Sequence, residues 1–469
     1  MKFRPIQLDE ISVFFIACLV FSQLLFANGI YLFACTAVFV SLFFLLQQRL
    51  KPGIFAFMMM QHILQIIAAV WQSNYLDKDI NYRTPENSTA IYLSLIGVVF
   101  LFVPLIFAQI KLPYYSFNDI KKSANELSTD KVMRAYLISF FVASALASIA
   151  FVYPPFTQIL FNLIKIKWLF FLLFGFVSFL KKEKQKIFYL CILVEIISGF
   201  FSFFSDFKTV IFYILVLIIT MINKIDVKQL IISVALGAVL IFLALGWTAI
   251  KGEYRTFLNG GEKTQEVTVS RDEALNKIVS LSSSIDENRI TASTKDALDR
   301  LQYTYHFAKT IERVPEIIPF QNGSNWKDNI EFAITPRYLN PDKPTLDNSI
   351  KTTKYTGIHY LSAKSGVSFS LGYFAEGYID FGPEGMMFFL LALGIVYAIV
   401  YHYLMKKSSN NIIFNYAVVG SFFFEFYSYE MDGTFFIGRL FTSIITYIIL
   451  VNFVFPVFIR YVKISTNKG

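Results

Sequence analysis

Long apolar runs alternate with short polar stretches along most of this chain. A bilayer core requires roughly 20 apolar residues in each spanning helix, and runs near that length recur throughout the sequence. The pattern predicts an all-α, polytopic membrane protein with about twelve transmembrane helices. The predicted spans lie near residues 11–27, 29–46, 53–71, 89–108, 136–153, 158–180, 187–204, 209–223, 230–248, 386–404, 412–430 and 435–458.

Cationic residues occupy alternate loops between the predicted spans, whereas the opposite loops are short or acidic. By the positive-inside rule, the cationic loops lie in the cytoplasm together with both basic termini. An even number of spans is consistent with that orientation. The cationic loops contain Arg49 and Lys51; Lys111, Lys121, Lys122 and Lys131; Lys181, Lys182, Lys184 and Lys186; Lys224 and Lys228; and Lys406 and Lys407.

A long polar segment, residues 249–385, separates the ninth and tenth predicted spans. By alternation it lies on the face opposite the cytoplasm, and it is too long for a simple connector. The chain therefore divides into 1–248 with nine spans, 249–385 as an external segment, and 386–469 with three spans and a cytoplasmic tail. We expect the front half of the external segment to be partly flexible.

One stretch of the external segment, residues 294–318, has the spacing of an amphipathic helix. Thr294 and Asp296 are candidate N-terminal caps, and Pro315 is a candidate stop. Packing against the tops of the spans would explain this helix without any further function. Its apolar positions are Leu298, Leu301, Tyr305, Ala308 and Ile311.

Composition agrees with a membrane protein and excludes several other classes. The chain is 55% hydrophobic and 16% charged, whereas a soluble domain has about 25% charged residues. The three cysteines all fall in apolar runs, which argues against a disulfide framework or a zinc site. The net charge of +9 resides mostly in short loops between spans, so we do not expect nucleic acid as a partner.

Charged residues inside the predicted spans are few. The main ones are Lys165, Lys167 and Glu195. A charge at the bilayer centre costs roughly 2.5–3.5 kcal/mol on insertion scales, so each requires a partner or a wet cavity. Two interpretations remain open for the lysines, which either extend to the outer interface or take part in a site.

The outer boundary of the membrane is richer in charge. Arginine and lysine gathered there are suited to a lipid-linked phosphate or diphosphate. The alternative is anchoring through lipid headgroups. The residues concerned are Asp206, Lys208, Lys251, Glu253, Arg255, Arg300, His306, Arg313, Arg337, Lys343, His359, Lys364, Glu376, Asp380 and Glu384.

The stretch "AITPRYLNPDKP" is a stiff cationic loop within the external segment. Its three prolines, Pro336, Pro341 and Pro344, restrict backbone angles and exclude a helix. Arg337 and Lys343 therefore have little conformational freedom to lose, which favours positioning over a reaction centre. An ordinary surface turn is the alternative.

Four short patches, together with the topology, resemble the Wzy-type O-antigen polymerases and the related O-antigen ligases. They are "TPRYLNPDKP", "GYFAEGYIDFGPEGM", "SDFKTVIF" and "EYRTF". The second is similar to the family pattern G-E-x-Y-x-N-F-G-x-x-G, although Ala375 replaces the first glycine and Asp380 the asparagine. Lys208 stands where an arginine is common, and Arg255 where the family has a cation.

This resemblance implies a GT-C-like fold and glycosyl transfer at the outer face of the bacterial plasma membrane. A growing glycan would pass from undecaprenyl diphosphate to the acceptor sugar of a new lipid-linked repeat unit. The expected partners are that lipid-linked oligosaccharide, membrane lipids, a chain-length regulator and a flippase, with neither a cofactor nor a metal. The residues implied are His359 and Glu376 for catalysis, and Lys208, Arg255, Arg337, Lys343, Tyr378 and Asp380 for substrate binding.

Three other functions remain open at this point. A flippase or exporter of lipid-linked glycans also needs many spans and cationic contacts to diphosphate, but predicts charges in a central cavity. A ligase would share the donor site and differ in the acceptor groove. A structural subunit of a glycan-assembly complex would tolerate replacement of the external charges.

Overall fold

The structure is a computed structural model, and it describes residues 6–47, 51–152, 157–200, 207–261, 268–335, 340, 343, 346–361 and 368–464. Within these residues the chain is all-α apart from one short parallel pairing between β1 (Gln7–Leu8) and β2 (Lys224–Ile225). The helices are α1 (Glu10–Ser22), α2 (Gly29–Leu46), α3 (Ile54–Tyr75), α4 (Asn87–Lys111), α5 (Phe117–Asn125), α6 (Thr129–Val152), α7 (Thr157–Lys181), α8 (Gln185–Phe200), α9 (Phe207–Met221), α10 (Val227–Leu258), α11 (Arg271–Ser283), α12 (Glu287–Leu301), α13 (Thr304–Ile311), α14 (Ser324–Ile334), α15 (Asn348–Thr356), α16 (Tyr373–Lys407), α17 (Ile412–Phe423), α18 (Gly433–Ile449) and α19 (Phe455–Val462).

Seven helical stretches among the described residues are long and apolar enough to cross a membrane, and three shorter apolar helices accompany them. The chain is therefore an all-α membrane protein. A helix coincides with each predicted span, but twelve crossings stays a prediction. The seven stretches are Gly29–Leu46, Ile54–Tyr75, Asn87–Lys111, Leu160–Lys181, Val227–Leu258, Tyr373–Lys407 and Gly433–Val462.

The core of the bundle is aromatic and tightly packed around α4 and α16. These two helices approach so closely that a Cβ added at Gly394 would lie 2.3 Å from the carbonyl oxygen of Leu101. Glycine at this position therefore permits the contact between the two backbones. Elsewhere, α6 packs against α7, and α17 packs against α7 as well.

The lysines inside the predicted spans form ion pairs within the bundle. Lys167 lies 2.9 Å from Glu195, which also accepts a hydrogen bond from the Tyr136 hydroxyl. Lys165 pairs with Glu425. Both lysines therefore have partners, which is how a charge at this depth becomes tolerable.

The polar segment is more helical than its sequence predicts. Instead of one amphipathic helix from residue 294, α12 begins after the cap Asp286 and ends at Leu301, and α13 follows. The break between them occurs where the Tyr303 N–H donates to the Gln65 carbonyl oxygen at 3.2 Å. The contact with α3 thus interrupts the helix, although the spacing of the apolar residues alone favours a continuous one.

The front half of the polar segment contains α11. Its Ser270 and Glu273 form a reciprocal capping box, in which each side chain accepts a hydrogen bond from the other residue's backbone. At the two ends of the segment, α10 extends to Leu258 and α16 already begins at Tyr373. Residues 262–267 and 362–367 lie outside the described residues.

One helix, α10, stands away from the bundle over most of its length. It packs chiefly against α12 and α11, briefly against α1, and through Trp247 against Phe200 of α8 and Phe207 of α9. Its apolar middle is exposed, with Ile231 at 63% and Phe242 at 65%. In a membrane, lipid therefore surrounds most of this helix.

Candidate functional site

Four cations from three helices come together at one end of the bundle. Lys251 lies close enough to Lys208, Arg255 and Arg300 for their like charges to repel, and Arg255 and Arg300 repel each other as well. Lys251 and Arg255 share one face of α10 because they are four residues apart. We call Lys208, Lys251, Arg255 and Arg300 the cation cluster.

The cation cluster creates a strongly positive region. Lys208 lies in the first turn of α9, where the N-terminus of a helix also carries partial positive charge. Arginine and lysine side chains gathered in this way are suited to binding a phosphate-like group.

The loop that precedes α18 carries two carboxylates to this end of the molecule. We call residues 427–432 the acidic loop. Gln65, buried on α3, holds it: its side-chain oxygen accepts from the Tyr429 N–H at 3.0 Å, and its Nε2 donates to Glu430 at 3.3 Å. The Tyr429 hydroxyl also contacts the Ser94 hydroxyl at 2.7 Å. These contacts fix the loop between α3 and α4.

Glu430 of the acidic loop faces the cation cluster. The Glu430 side chain is exposed to solvent, although many protein atoms lie around its carboxyl. Burial raises the pKa of the Glu430 carboxyl above its ordinary value, and the nearby Lys208 ammonium opposes that rise. The Glu430 carboxylate and the Lys208 ammonium thus lie close enough for their charges to attract.

The second carboxylate of the acidic loop belongs to a buried polar network. Lys351 of α15 lies 3.0 Å from both Glu376 and Asp432. Glu376 also accepts hydrogen bonds from the Asn329 side chain at 2.6 Å and the Gly433 N–H at 2.8 Å. We call Asn329, Lys351, Glu376 and Asp432 the polar network.

Lys351 supplies a positive charge between the two carboxylates of the polar network. Burial alone would lower the pKa of Lys351, but the Glu376 and Asp432 carboxylates outweigh burial and raise it. Asp432 in addition caps α18 by accepting from the Thr434 N–H at 2.8 Å. The network therefore ties α14 and α15 of the polar segment to the start of α16 and α18.

Several residues predicted to bind substrate hold the polar segment together. Asp380 accepts from the backbone N–H groups of Asn325 and Trp326 at the start of α14, at 3.1 and 2.7 Å. Lys343 donates to the carbonyl oxygens at the end of the same helix, including Thr335 at 2.8 Å. The Tyr378 hydroxyl donates to the Val314 carbonyl oxygen at 3.1 Å.

The structure unites only some of the predicted site residues. Lys208 and Arg255 lie together in the cation cluster. Glu376 lies in the polar network, and His359 is exposed beyond the end of α15. Arg337 lies outside the described residues.

A second charged group lies beside the cation cluster. Arg83 pairs with Asp299 at 2.7 Å and stacks on the Tyr305 ring at 4.1 Å. The neighbouring His306 contacts the Tyr360 hydroxyl at 2.7 Å. Burial, with the Arg83 charge adding to it, lowers the pKa of His306 to about 4, so this imidazole is neutral at pH 7.

The residues that sequence reasoning missed are Glu430, Asp432, Lys351 and Gln65. One signal was available for Gln65, since polar side chains at positions 62, 65 and 72 recur at helical spacing within an apolar run. Such a stripe indicates a polar face directed into the bundle. Among the described residues, no group of three or more His, Cys, Asp or Glu side chains is placed to hold a metal ion.

Comparison with known proteins gives one match. A family described as a domain of unknown function (DUF8712) matches residues 102–459. That range contains the cation cluster, the acidic loop and the polar network, whereas Gln65 and Arg83 precede it. No curated protein and no solved structure matches the chain.

Proposed function

The chain belongs to the DUF8712 family, and we propose that it is a membrane glycosyltransferase that polymerises lipid-linked oligosaccharide repeat units. It transfers the growing glycan from undecaprenyl diphosphate to the acceptor sugar of a new repeat unit, at the outer face of the bacterial plasma membrane. Both termini then lie in the cytoplasm. The family description names no activity, so the proposal depends on the site and on the sequence resemblance.

The cation cluster is the observation that carries this proposal. When the anomeric carbon is released, negative charge develops on the departing diphosphate, and preorganised cations stabilise that charge in the transition state. Lys208 and Arg255 were expected in this role by resemblance, and Lys251 and Arg300 lie beside them. Four cations offset the negative charge of a diphosphate more fully than two cations do.

The isolation of α10 supports a lipid substrate. Lys251 and Arg255 lie in the last turns of α10, whose apolar middle is exposed, and we place that end at the outer face of the membrane. A diphosphate on an isoprenoid chain reaches such cations sideways from the bilayer, without leaving the membrane. A water-soluble nucleotide sugar would gain nothing from this arrangement.

The placement of the cations favours a transferase over a flippase or exporter. A carrier of lipid-linked glycans requires charge along a path through the membrane centre. The cation cluster instead lies at one end of α9, α10 and α12. A ligase shares this donor site and remains the second candidate, because the acceptor groove alone distinguishes it from a polymerase.

The experiment is complementation of a gene deletion, with surface polysaccharide resolved on a gel. We expect Lys208→Ala, Arg255→Ala and Arg300→Ala to leave a single repeat unit on the surface. Lys295→Ala is the matched control, because Lys295 is an exposed lysine on the same helix as Arg300. Membrane abundance of each variant is measured by immunoblot.

The gel also separates the competing functions. Loss of a ligase leaves long chains on the carrier lipid, and loss of a flippase leaves no surface repeat at all. Normal chain lengths in all three cation variants, at normal abundance, would contradict the assignment of the diphosphate to this cluster.

A further inference from the structure

The proposed reaction requires a base for the acceptor hydroxyl, and most carboxylates near the site are already engaged. Glu376 and Asp432 pair with Lys351. Asp380 accepts from the backbone of α14, and Asp299 accepts from Arg83 and Gln72. These groups organise the protein, and a proton transfer at any of them would disturb the contacts that hold the fold.

Glu430 differs from these carboxylates. Its Oε2 accepts a long hydrogen bond of 3.3 Å from Gln65, with the Ser428 hydroxyl as a further donor, and the residue is open to solvent. Lys208 acts on Glu430 through its charge and without a hydrogen bond. The Glu430 carboxylate is therefore accessible to a substrate group from the solvent side.

The position of Glu430 is fixed from α3. Gln65 uses its side-chain oxygen for the Tyr429 N–H, its Nε2 for Glu430 and its carbonyl oxygen for the Tyr303 N–H. One buried side chain thus aligns the acidic loop with the start of α13. A base held in this way loses little conformational freedom on binding substrate.

From this geometry we propose that Glu430 is the catalytic base of the transfer and that Gln65 is its positioning residue. The inference rests on the proposed function. The Glu430 carboxylate takes the proton of the acceptor hydroxyl as the acceptor oxygen forms its bond to the anomeric carbon. The bond between that carbon and the diphosphate oxygen breaks, and the electron pair leaves with the diphosphate at the cation cluster.

The surroundings of Glu430 suit a base that works near neutral pH. The titratable groups facing it are Lys208 from α9, Tyr303 from the polar segment and Tyr427 from the acidic loop. Burial raises the pKa of Glu430 above that of an exposed glutamate, which brings its proton affinity closer to the working pH. The rate is therefore expected to fall as pH drops through this raised value.

The test is single-turnover transfer by the full-length protein in vesicles of phosphatidylethanolamine and phosphatidylglycerol, measured against pH. We expect Glu430→Gln to lower the rate about 100-fold or more and to remove the acidic limb of the profile. Binding of undecaprenyl diphosphate, used as the probe, should change less than about threefold, because the base acts only on the acceptor. Glu430→Asp should keep an acidic limb at a reduced rate.

Two further variants complete the design. Glu253→Gln is the matched control, because this exposed carboxylate pairs with Arg289 close to the same cations, and its profile should match the wild type. Gln65→Leu should lower the rate and keep the acidic limb. If the acidic limb persists in Glu430→Gln, the role of Glu430 as the base is overturned, while the proposed function stands. If Glu430→Gln does not accumulate, Glu430→Asp is the test, and a pH profile unchanged from that of the wild type overturns the role of Glu430. A wild-type protein that binds the probe without any transfer overturns both.

Discussion

Lys351 is the residue on which the polar network depends. Its ammonium lies between Glu376 and Asp432, which are 0% and 1% exposed. A buried ion pair is weak evidence for stability by itself, but removing one partner leaves an uncompensated charge at high cost. Because the pKa of Lys351 is raised, its contribution is complete below about pH 10.4 and is lost only as pH rises through the raised value.

We expect Lys351→Met to destabilise the protein by about 3–5 kcal/mol, because two buried carboxylates then lose their shared cation. The measurement is thermal unfolding in detergent at pH 7. Lys354→Met, on the exposed side of the same helix, is the control and should have little effect. Adding Glu376→Gln to Lys351→Met should recover part of the loss, and a double variant no more stable than the single one would speak against this account.

Among the elements, α16 shows how sequence sets local geometry. The helix is interrupted at Gly382, whose φ is 69°. Pro383 disfavours helical angles in the residue before it, and glycine tolerates the positive φ that results. The short section above the kink carries Glu376 and Asp380 toward the polar segment, and the long section below it spans the membrane.

Gly382→Ala should therefore destabilise the protein by about 1–3 kcal/mol, because a φ of 69° with a ψ of -174° is a backbone conformation essentially restricted to glycine. A Cβ there would also lie 3.2 Å from the Phe320 ring. Gly237→Ala on α10 is the matched control, because an added Cβ meets nothing within 4 Å. Thermal unfolding compares the two variants, and equal unfolding temperatures would contradict the role assigned to the kink.

The elements show what the sequence can predict and what it cannot. Apolar runs of spanning length mark helices reliably, because the membrane requires every backbone polar group to be satisfied within the segment. The break between α12 and α13 was not predictable, because it depends on the contact between Tyr303 and Gln65, far apart in sequence. The capping box at Ser270 has a recognisable spacing, with glutamate three residues after serine, but the sequence analysis predicted only partial flexibility for this part of the chain.

The candidate site also has features that the sequence predicts and features that depend on contacts between distant residues. The family resemblance singled out Lys208 and Arg255 among many charged residues at the predicted outer boundary, and the structure places both near Lys251. The charges of Asp380 and Lys343 were equally visible, but their partners are backbone groups of α14. The sequence shows that a residue is charged, but the fold determines which group that residue pairs with.

At the scale of the whole molecule, the site is assembled from parts of the chain that are far apart. Helices α9, α10 and α12 supply the cations, the acidic loop supplies Glu430, and α3 holds that loop in place. Occupancy by a diphosphate would therefore link these parts and stabilise the fold as a unit.

We expect undecaprenyl diphosphate to raise the unfolding temperature of the wild type, since a ligand at 100 times its Kd stabilises a protein by about 2.7 kcal/mol. The double variant Lys251→Ala/Arg255→Ala should lose most of this effect. Undecaprenol, which lacks phosphate, should leave both proteins unchanged. An equal rise for the double variant and the wild type would place the diphosphate elsewhere.

The separation of α10 from the bundle has a consequence for where this protein works best. Its 32 residues span about 48 Å, well beyond a hydrocarbon core of about 30 Å, and its first part has few neighbours. Such a helix adjusts its tilt to the thickness of the surrounding lipid. Trp247 packs the later part of the helix against Phe200 and Phe207, so a change in tilt acts on the packed end that carries Lys251 and Arg255. For the proposed transferase, we therefore expect activity to depend on the acyl chain length of the host membrane, with a peak at one bilayer thickness and a fall on either side.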